Sequence, residues 1–325
     1  MRLPGFEYVE PKSVQEASSI LLDDPGAKIL AGGTDLLVNM KHRVEVPSVI
    51  VNIKRISNLD FIERKNGSIR IGALTSLKSL YKNALVGEKL PGLSLAASSV
   101  GSYHHQSAGT IGGNICQQNR CKYFNQSRWW RSSRPLCFKA GGETCYVMDK
   151  KEICHSSYCG DVAPALLVLN GKVVLESQGG SRQISLESLF SGDGKAPLNL
   201  QRGEILTEII IPEEALDGFS TYVKFANRES IDFPIVGMGL WASREKKGVR
   251  VSFTGVDRRP VRAKSLEGYL AAKDLSDERL EQAIRLASKE VTLVKTSIYS
   301  PPYKKKIMER LLKSTLKEAA RRGRR

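Results

Sequence analysis

All six cysteines of this 325-residue chain, Cys116, Cys121, Cys137, Cys145, Cys154 and Cys159, fall between residues 116 and 159. That stretch is poor in aliphatic residues and rich in Arg, Ser, Asn and aromatics. A segment with so little apolar surface cannot build its own core, so a metal staple is the economical way to fold it. The opening residues MRLPGFEYVEPKS lack the basic-then-apolar pattern of a secretory signal. No apolar run reaches the roughly 18 residues needed to cross a bilayer. The chain is therefore expected in a reducing, cytoplasmic compartment, where cysteines are thiols or ligands and not disulfides. Spacing leaves the metal open. The C-x4-C pairs Cys116/Cys121 and Cys154/Cys159 suit a structural zinc ion. Four more widely spaced cysteines suit an iron–sulfur cluster. His155, beside Cys154, is a minor candidate.

Regular patterning flanks this insert. Ser13 and Glu16 form a capping box that starts a helix running to about Leu22. KIL (28–30) is an apolar run that stops at AGGTDL, and VIVNIKRI (49–56) and SIRIGAL (68–74) read as strands. SLKSLYKNAL (76–85) and LSLAASSVG (93–101) read as helices. After ILTEIIIP (205–212) the style changes. YVKFAN, IVGMGLWAS and GVRVSFTGV predict three consecutive antiparallel strands. Ser276 then caps a helix with Leu280, Ala283, Ile284 and Ala287 on one face, and a last helix runs from about Tyr303 to Arg321. The expected fold is an α/β part followed by an α+β part, a three-stranded antiparallel sheet with helices, divided as 1–217 and 218–325.

Two glycine loops carry the first chemical signal. Ala31-Gly32-Gly33-Thr34-Asp35-Leu36 follows a strand-like run, and Thr110-Ile111-Gly112-Gly113-Asn114 follows a helical one. Without Cβ atoms, such loops let backbone amides close on an anion. Two of them suit the two phosphates of a dinucleotide. No Walker A sequence occurs. Gly237-Met238-Gly239-Leu240-Trp241-Ala242 fits a loose dinucleotide string but lies in a strand-like stretch with no following helix, so it is rejected as a Rossmann site. No catalytic constellation is present among the four histidines, His42, His104, His105 and His155. His104 and His105 read as a solvated turn near the second loop.

The net charge is +16, of which half sits in residues 301–325 and another +5 between Cys116 and Cys159. No base-reading motif accompanies it, so a zinc-stapled nucleic-acid-binding protein is only the rival reading. The basic segments are expected to face protein partners. Arg128, Arg131 and Arg134 of the insert should steer an acidic partner, and the tail from Lys304 onward should hold other subunits.

AGGTDL, TIGGN and GDVAPALLVLNGKV together resemble the FAD-binding medium subunit of the xanthine dehydrogenase family of molybdenum hydroxylases, over essentially the whole chain. Asn119-Arg120-Cys121, Tyr123 to Gln126, Trp129-Trp130-Arg131, Cys137, Cys145 and Cys154-His155 look like the 4-hydroxybenzoyl-CoA reductase β-subunit type, which has an extra [4Fe–4S] loop. The resemblance implies a two-part FAD-binding domain followed by the C-terminal domain typical of such medium subunits. It implies FAD contacts from Ile29, Leu30 and the rest of the first loop to Leu36, and from Thr110 to Asn114. Asp161 corresponds to a nucleotide-bonding residue, with Val100, Leu206 and Lys224 as further contacts and Ile231 and Asp232 near the isoalloxazine. The implied cluster ligands are Cys121, Cys137, Cys145 and Cys154, with Cys116 and Cys159 as bystanders. The implied function is electron transfer from a ferredoxin-like donor, for reductive dehydroxylation of an aromatic CoA thioester. The implied partners are a molybdenum-cofactor large subunit and a small subunit with two [2Fe–2S] clusters, as a dimer of heterotrimers, with neither membrane nor nucleic acid. The alternative within the family is an oxidative hydroxylase of the xanthine, aldehyde or CO type, passing electrons outward.

Overall fold

A computed structural model describes residues 2–148, 153–243, 248–271 and 276–322. Strands β1 (Glu7–Val9), β2 (Lys28–Leu30) and β3 (Val49–Asn52) form a parallel sheet in the order β1-β3-β2. Helix Val14–Asp23 joins β1 to β2 and buries Val14 and Ala17 against Val51 and Ile53. The Ser13 side chain accepts from the Glu16 amide, while the Glu16 carboxylate accepts from the Lys12 amide, a one-residue variation on the expected capping box.

The second sheet contains β4 (Ile62–Lys65), β5 (Ser68–Gly72), β6 (Lys172–Ser177), β7 (Gly180–Ser185) and β8 (Ile205–Ile211), in the antiparallel order β4-β5-β8-β6-β7. Strand β8 enters between two strands that both precede it in the chain, with Ile209 opposite both Ile71 and Val173. Its buried face packs with helices Leu77–Lys82, Pro91–Ser98 and Val162–Val168 into one core.

The third sheet holds β9 (Gly218–Phe225), β10 (Val236–Ser243), β11 (Val249–Thr254) and β12 (Val261–Arg262), antiparallel in the order β12-β11-β10-β9. It has four strands where three were predicted, because a two-residue strand has no periodicity to read. Gly237 and Gly239 lie inside β10. A Cβ at Gly239 would stand 2.6 Å from the Pro164 carbonyl oxygen, so this glycine lets helix Val162–Val168 cross the sheet closely.

Helices Asp277–Glu290 and Pro301–Arg322 close the chain, and Leu280, Ala283, Ile284 and Ala287 are buried as predicted. The last helix forms as expected and buries Met308, Leu312, Leu316 and Ala319. Lys305, Lys306, Arg310 and Lys313 stay exposed, while Lys304 departs from the expected partner-facing role. Lys304 is itself buried, its Nζ donating to the carbonyls of Gly255 (3.1 Å) and Val294 (3.2 Å). Lys304 therefore pins the helix and does not reach for a partner. Among the described residues, no helix is long and apolar enough to cross a membrane.

The insert is held by polar ties. Asn119 Nδ2 donates to the carbonyls of Ser156 (2.9 Å) and Arg258 (2.6 Å), and the Lys122 amide donates to Thr296 (3.0 Å). Two of the three arginines expected to steer a partner are engaged internally. Arg131 donates to the carbonyl of Arg43 at 2.8 Å, and Arg134 stacks 3.8 Å from the centroid of Trp130.

Candidate functional site

The glycine loops meet along one cleft of about 680 Å³. It is lined by Ile29 and Ala31 to Leu36 from the end of β2, by Val100, and by Thr110, Gly112, Gly113 and Asn114. Asp161, Leu206, Ile231 and Asp232 also line it. Leu30, Ile111 and Lys224 do not: Ile111 is wholly buried in the core, and Lys224 stands behind Asp161. His105 reaches the lining and shares a hydrogen bond with Ser102 Oγ at 2.8 Å. The stretch from Leu198 to Glu204, together with Gln118, Arg120 and Phe233, contributes lining that no sequence motif announced.

The two loops offer different chemistry. In the first, Gly33 takes a left-handed φ of 74°, and no acceptor among the described residues meets the amides of Gly32, Gly33, Thr34 or Asp35. Four adjacent unengaged donors at the end of a strand form an anion cradle. In the second, the Ile111 and Gly112 amides donate to Thr75 and Ala73, both at 2.9 Å. The Gly113 amide donates to Thr110 Oγ1 at 3.1 Å, and the Asn114 amide to the Thr110 carbonyl at 2.9 Å. The second loop thus differs from the first: the amides from Ile111 to Asn114 are engaged by its own residues and by Ala73 and Thr75, while no acceptor among the described residues meets the Thr110 amide. Its glycines serve packing. A Cβ at Gly112 would lie 2.8 Å from Ala73 Cβ, and one at Gly32 would lie 2.7 Å from Gly109 Cα. Gly32 thereby seats the first loop on the residues leading into the second.

Asp161 is a buried carboxylate at the cleft wall. Tyr222 Oη donates to its Oδ1 at 2.7 Å, and Lys224 Nζ lies 3.1 Å from the same atom. Burial raises its pKa to about 6, against the lowering pull of Lys224 and Tyr222. Lys224 also donates to the carbonyls of Ser99 and Asp232, each at 2.8 Å. The ammonium thus ties the Asp161 wall to the Ile231–Phe233 loop. Asp35, in the first glycine loop, pairs with Arg120 of the insert and accepts from the Gln118 amide at 3.0 Å.

Cys121, Cys137, Cys145 and Cys154 line one small cavity with Phe124, Phe138, Lys139, Tyr146 and His155. Cys116 lines the large cleft instead, and Cys159 is buried away from both. The paired C-x4-C reading is therefore corrected, because its members are split between different environments. Burial raises Cys121 to about 11 and also raises Cys154, while it lowers the nearby Lys139. Among the described residues, no group of three or more His, Cys, Asp or Glu side chains is arranged to hold a metal ion.

Residues 4–214 match the FAD-binding domain in molybdopterin dehydrogenase, and residues 221–319 match the CO dehydrogenase flavoprotein C-terminal domain. The chain belongs to this family, as an FAD-binding medium subunit of the molybdenum hydroxylases, and is an oxidoreductase subunit. It is 29% identical over 318 residues to the nicotinate dehydrogenase FAD-subunit of Eubacterium barkeri, covering 96% of this chain and 95% of that one. It is 25% identical over 320 residues to the glyceraldehyde dehydrogenase medium chain of Sulfolobus acidocaldarius, covering 98% and 99%. A carbon monoxide dehydrogenase structure from Hydrogenophaga pseudoflava, lacking the Mo-pyranopterin moiety, superposes with a TM-score of 0.82 at 25% identity, covering 99% of each chain. These relatives are dehydrogenases. They carry the family and not the reductase subtype that the insert suggested.

Proposed function

We propose that the large cleft holds FAD and that the chain passes electrons outward from a molybdenum-bearing partner to an external acceptor. The observation that carries this is the row of unengaged amides from Gly32 to Asp35, which suits a pyrophosphate, in a cleft large enough for a dinucleotide. Bound FAD would supply the exchange between two-electron and one-electron carriers. The chain's own contribution is to cradle the phosphates at the first loop, to fix the wall with the Asp161–Lys224 pair, and to exclude water with the Ile231–Phe233 loop. The oxidative direction is favoured by the dehydrogenase relatives. The partners proposed with it are a molybdenum-cofactor large subunit and an iron–sulfur small subunit, with a division of this chain near residue 217. The test is anaerobic addition of N-heteroaromatic and aldehyde substrates to the purified complex, with the flavin absorbance followed. Bleaching by such a substrate supports the outward direction. Bleaching only by a low-potential donor refutes it.

A second reading rests on a specific observation, the convergence of Cys121, Cys137, Cys145 and Cys154 on one cavity. Four cysteines around one aromatic-lined cavity are the ligand type and number that a [4Fe–4S] cluster takes, and such a cluster would supply a one-electron step. Electrons would then flow inward from a ferredoxin-like donor, as in the reductive dehydroxylation of an aromatic CoA thioester, within a dimer of heterotrimers. Four irons and four acid-labile sulfides per chain, in anaerobically prepared protein, would support the cluster. Iron-free protein from the same preparation would refute it.

A further inference from the structure

Arg120 stands between the two sites. Its amide donates to Ser157 at 2.7 Å and its carbonyl accepts from Ser157 at 2.9 Å, which anchors it in the insert next to Cys121. Its side chain leaves the insert. The Nη2 atom donates to Asp35 Oδ1, and the guanidinium lies 4.6 Å from the centroid of the Phe233 ring. Asp35 and Phe233 belong to different segments lining the large cleft.

Phe233 is 43% exposed, too open to be held by packing alone. Its loop is nonetheless tightly specified. Ile231 adopts a φ of 54°, which a β-branched residue takes only where its surroundings hold it. The Ile231 amide donates to Gly101 at 2.8 Å, and Arg228 donates to the Ile231 carbonyl at 2.7 Å. These bonds, with the one from Lys224, hold the loop on one side. Arg120 holds it from the insert. A guanidinium suits the post, because its edge pairs with a carboxylate while its face stacks on a ring, and a lysine ammonium has no such face. The anchor at Asp35 is fixed in turn by Asn39 Nδ2 at 3.2 Å and the Gln118 amide at 3.0 Å.

We propose that Arg120 is a positioning residue that holds Phe233 across the large cleft as a closed lip, so that the cysteine insert sets how fast the flavin nucleotide enters and leaves. This rests on the reading of the cleft as an FAD site. The test uses the full chain, loaded with FAD, and follows flavin release by fluorescence after dilution, with iodide quenching as a measure of exposure. Arg120→Ala and Phe233→Ala should each speed release about fivefold, with flavin stoichiometry unchanged. The double variant should release no faster than either single one, because both remove the same contact. Arg120→Lys should recover less than half of the loss. Iodide quenching should rise in both alanine variants. Release from Phe233→Ala at the wild-type rate, or full rescue by Arg120→Lys, would show that Arg120 acts through Asp35 alone and overturn the lip. Wild-type protein that binds no FAD would instead overturn the flavin reading beneath it, so the two failures are distinct.

Discussion

The cleft is walled by regular elements. Its first loop leaves β2, its second packs under β5 and β8, and Asp161 precedes a helix whose every residue is buried. The insert has no described helix longer than the five residues Arg128–Ser132, and Cys121, Phe124, Cys154 and Cys159 are its main buried apolar side chains besides Tyr158. It is fastened by carbonyl-directed side chains and by Arg and Lys over aromatic rings. The contrast teaches where damage should spread. A change in the cleft disturbs the shared core and the ligand together. A change in the insert should stay local, except where a tie such as Arg120 crosses.

The largest expected effect is at Gly32. A valine there collides with the Ala108 carbonyl and Gly109 Cα, both backbone atoms that cannot step aside. Overpacking of this kind costs about 1–3 kcal/mol and occasionally more, so Gly32→Val should lower the melting temperature and lose FAD together. Gly87 is the control, since a Cβ there meets nothing within 4 Å. Gly87→Ala should raise helix stability by about 0.5–1 kcal/mol. Thermal melts with flavin quantitation decide it. If Gly32→Val melts normally and lacks only flavin, the glycine serves the phosphate and not the packing.

Next comes the test of locality. Cys137→Ser and Cys145→Ser should strip any iron and sulfide while FAD remains, because both thiols line only the small cavity. Cys159→Ser should leave any iron in place. Cys116→Ser should do likewise but alter the cleft that Cys116 lines. Metal and flavin analysis of the four proteins separates these outcomes. Loss of flavin from Cys145→Ser would break the claim that damage in the insert stays local.

Much of this organisation was legible in the sequence, for a definite reason. Helix faces such as Leu280, Ala283, Ile284 and Ala287 repeat at the helical period, and the glycine loops end apolar runs, so both are local signals. The insertion of β8 between β5 and β6 is not local, and no periodicity encodes it. The pairing of Asp35 with Arg120 spans 85 residues and reads in sequence as two unrelated charges. The second loop's internal bonds were hidden for a related reason. TIGGN has the composition of an anion loop, but its Ile111 and Gly112 amides find Thr75 and Ala73, which only the fold brings within reach. Similarly, Arg131 and Arg134 counted as surface charge until their carbonyl and ring partners were visible.

Asp161 sharpens the comparison by pH. Its carboxyl is raised from 3.8 to about 6 by burial, so the folded state binds a proton more tightly than the unfolded state. The stability this confers is full below pH 3.8 and is lost as pH rises through about 6. A difference of about two units corresponds to about 3 kcal/mol at most. Asp161→Asn does not titrate and still accepts from Tyr222, so its stability should gain on the wild type between about pH 4 and 6 and hold level above. Denaturant titrations of the flavin-free chain across that range measure it. Parallel curves for the two proteins would mean that Asp161 is not a buried, proton-linked group of the cleft wall.

The smallest effects belong to the outer face of the insert. Trp129 is 81% exposed, and its neighbour Arg128 is exposed as well. Trp129→Ser and Arg128→Ser should each change stability by less than about 0.5 kcal/mol, as surface substitutions do. Arg131, one helical turn on, looks equally basic in sequence, yet it donates to the carbonyls of Phe124, His42 and Arg43. Arg131→Ala leaves those carbonyls without their donor and should cost about 1–2 kcal/mol. The charge itself predicts no such ranking, since removing any one arginine relieves the same self-repulsion in a chain of net charge +16. Limited proteolysis within the insert, compared across the three variants, resolves the two accounts. Faster cleavage in Arg131→Ala alone follows if hydrogen bonds hold the insert. Equal protection in all three would mean that the insert is held by something other than the ties described, and the contrast with the cleft would lose its basis.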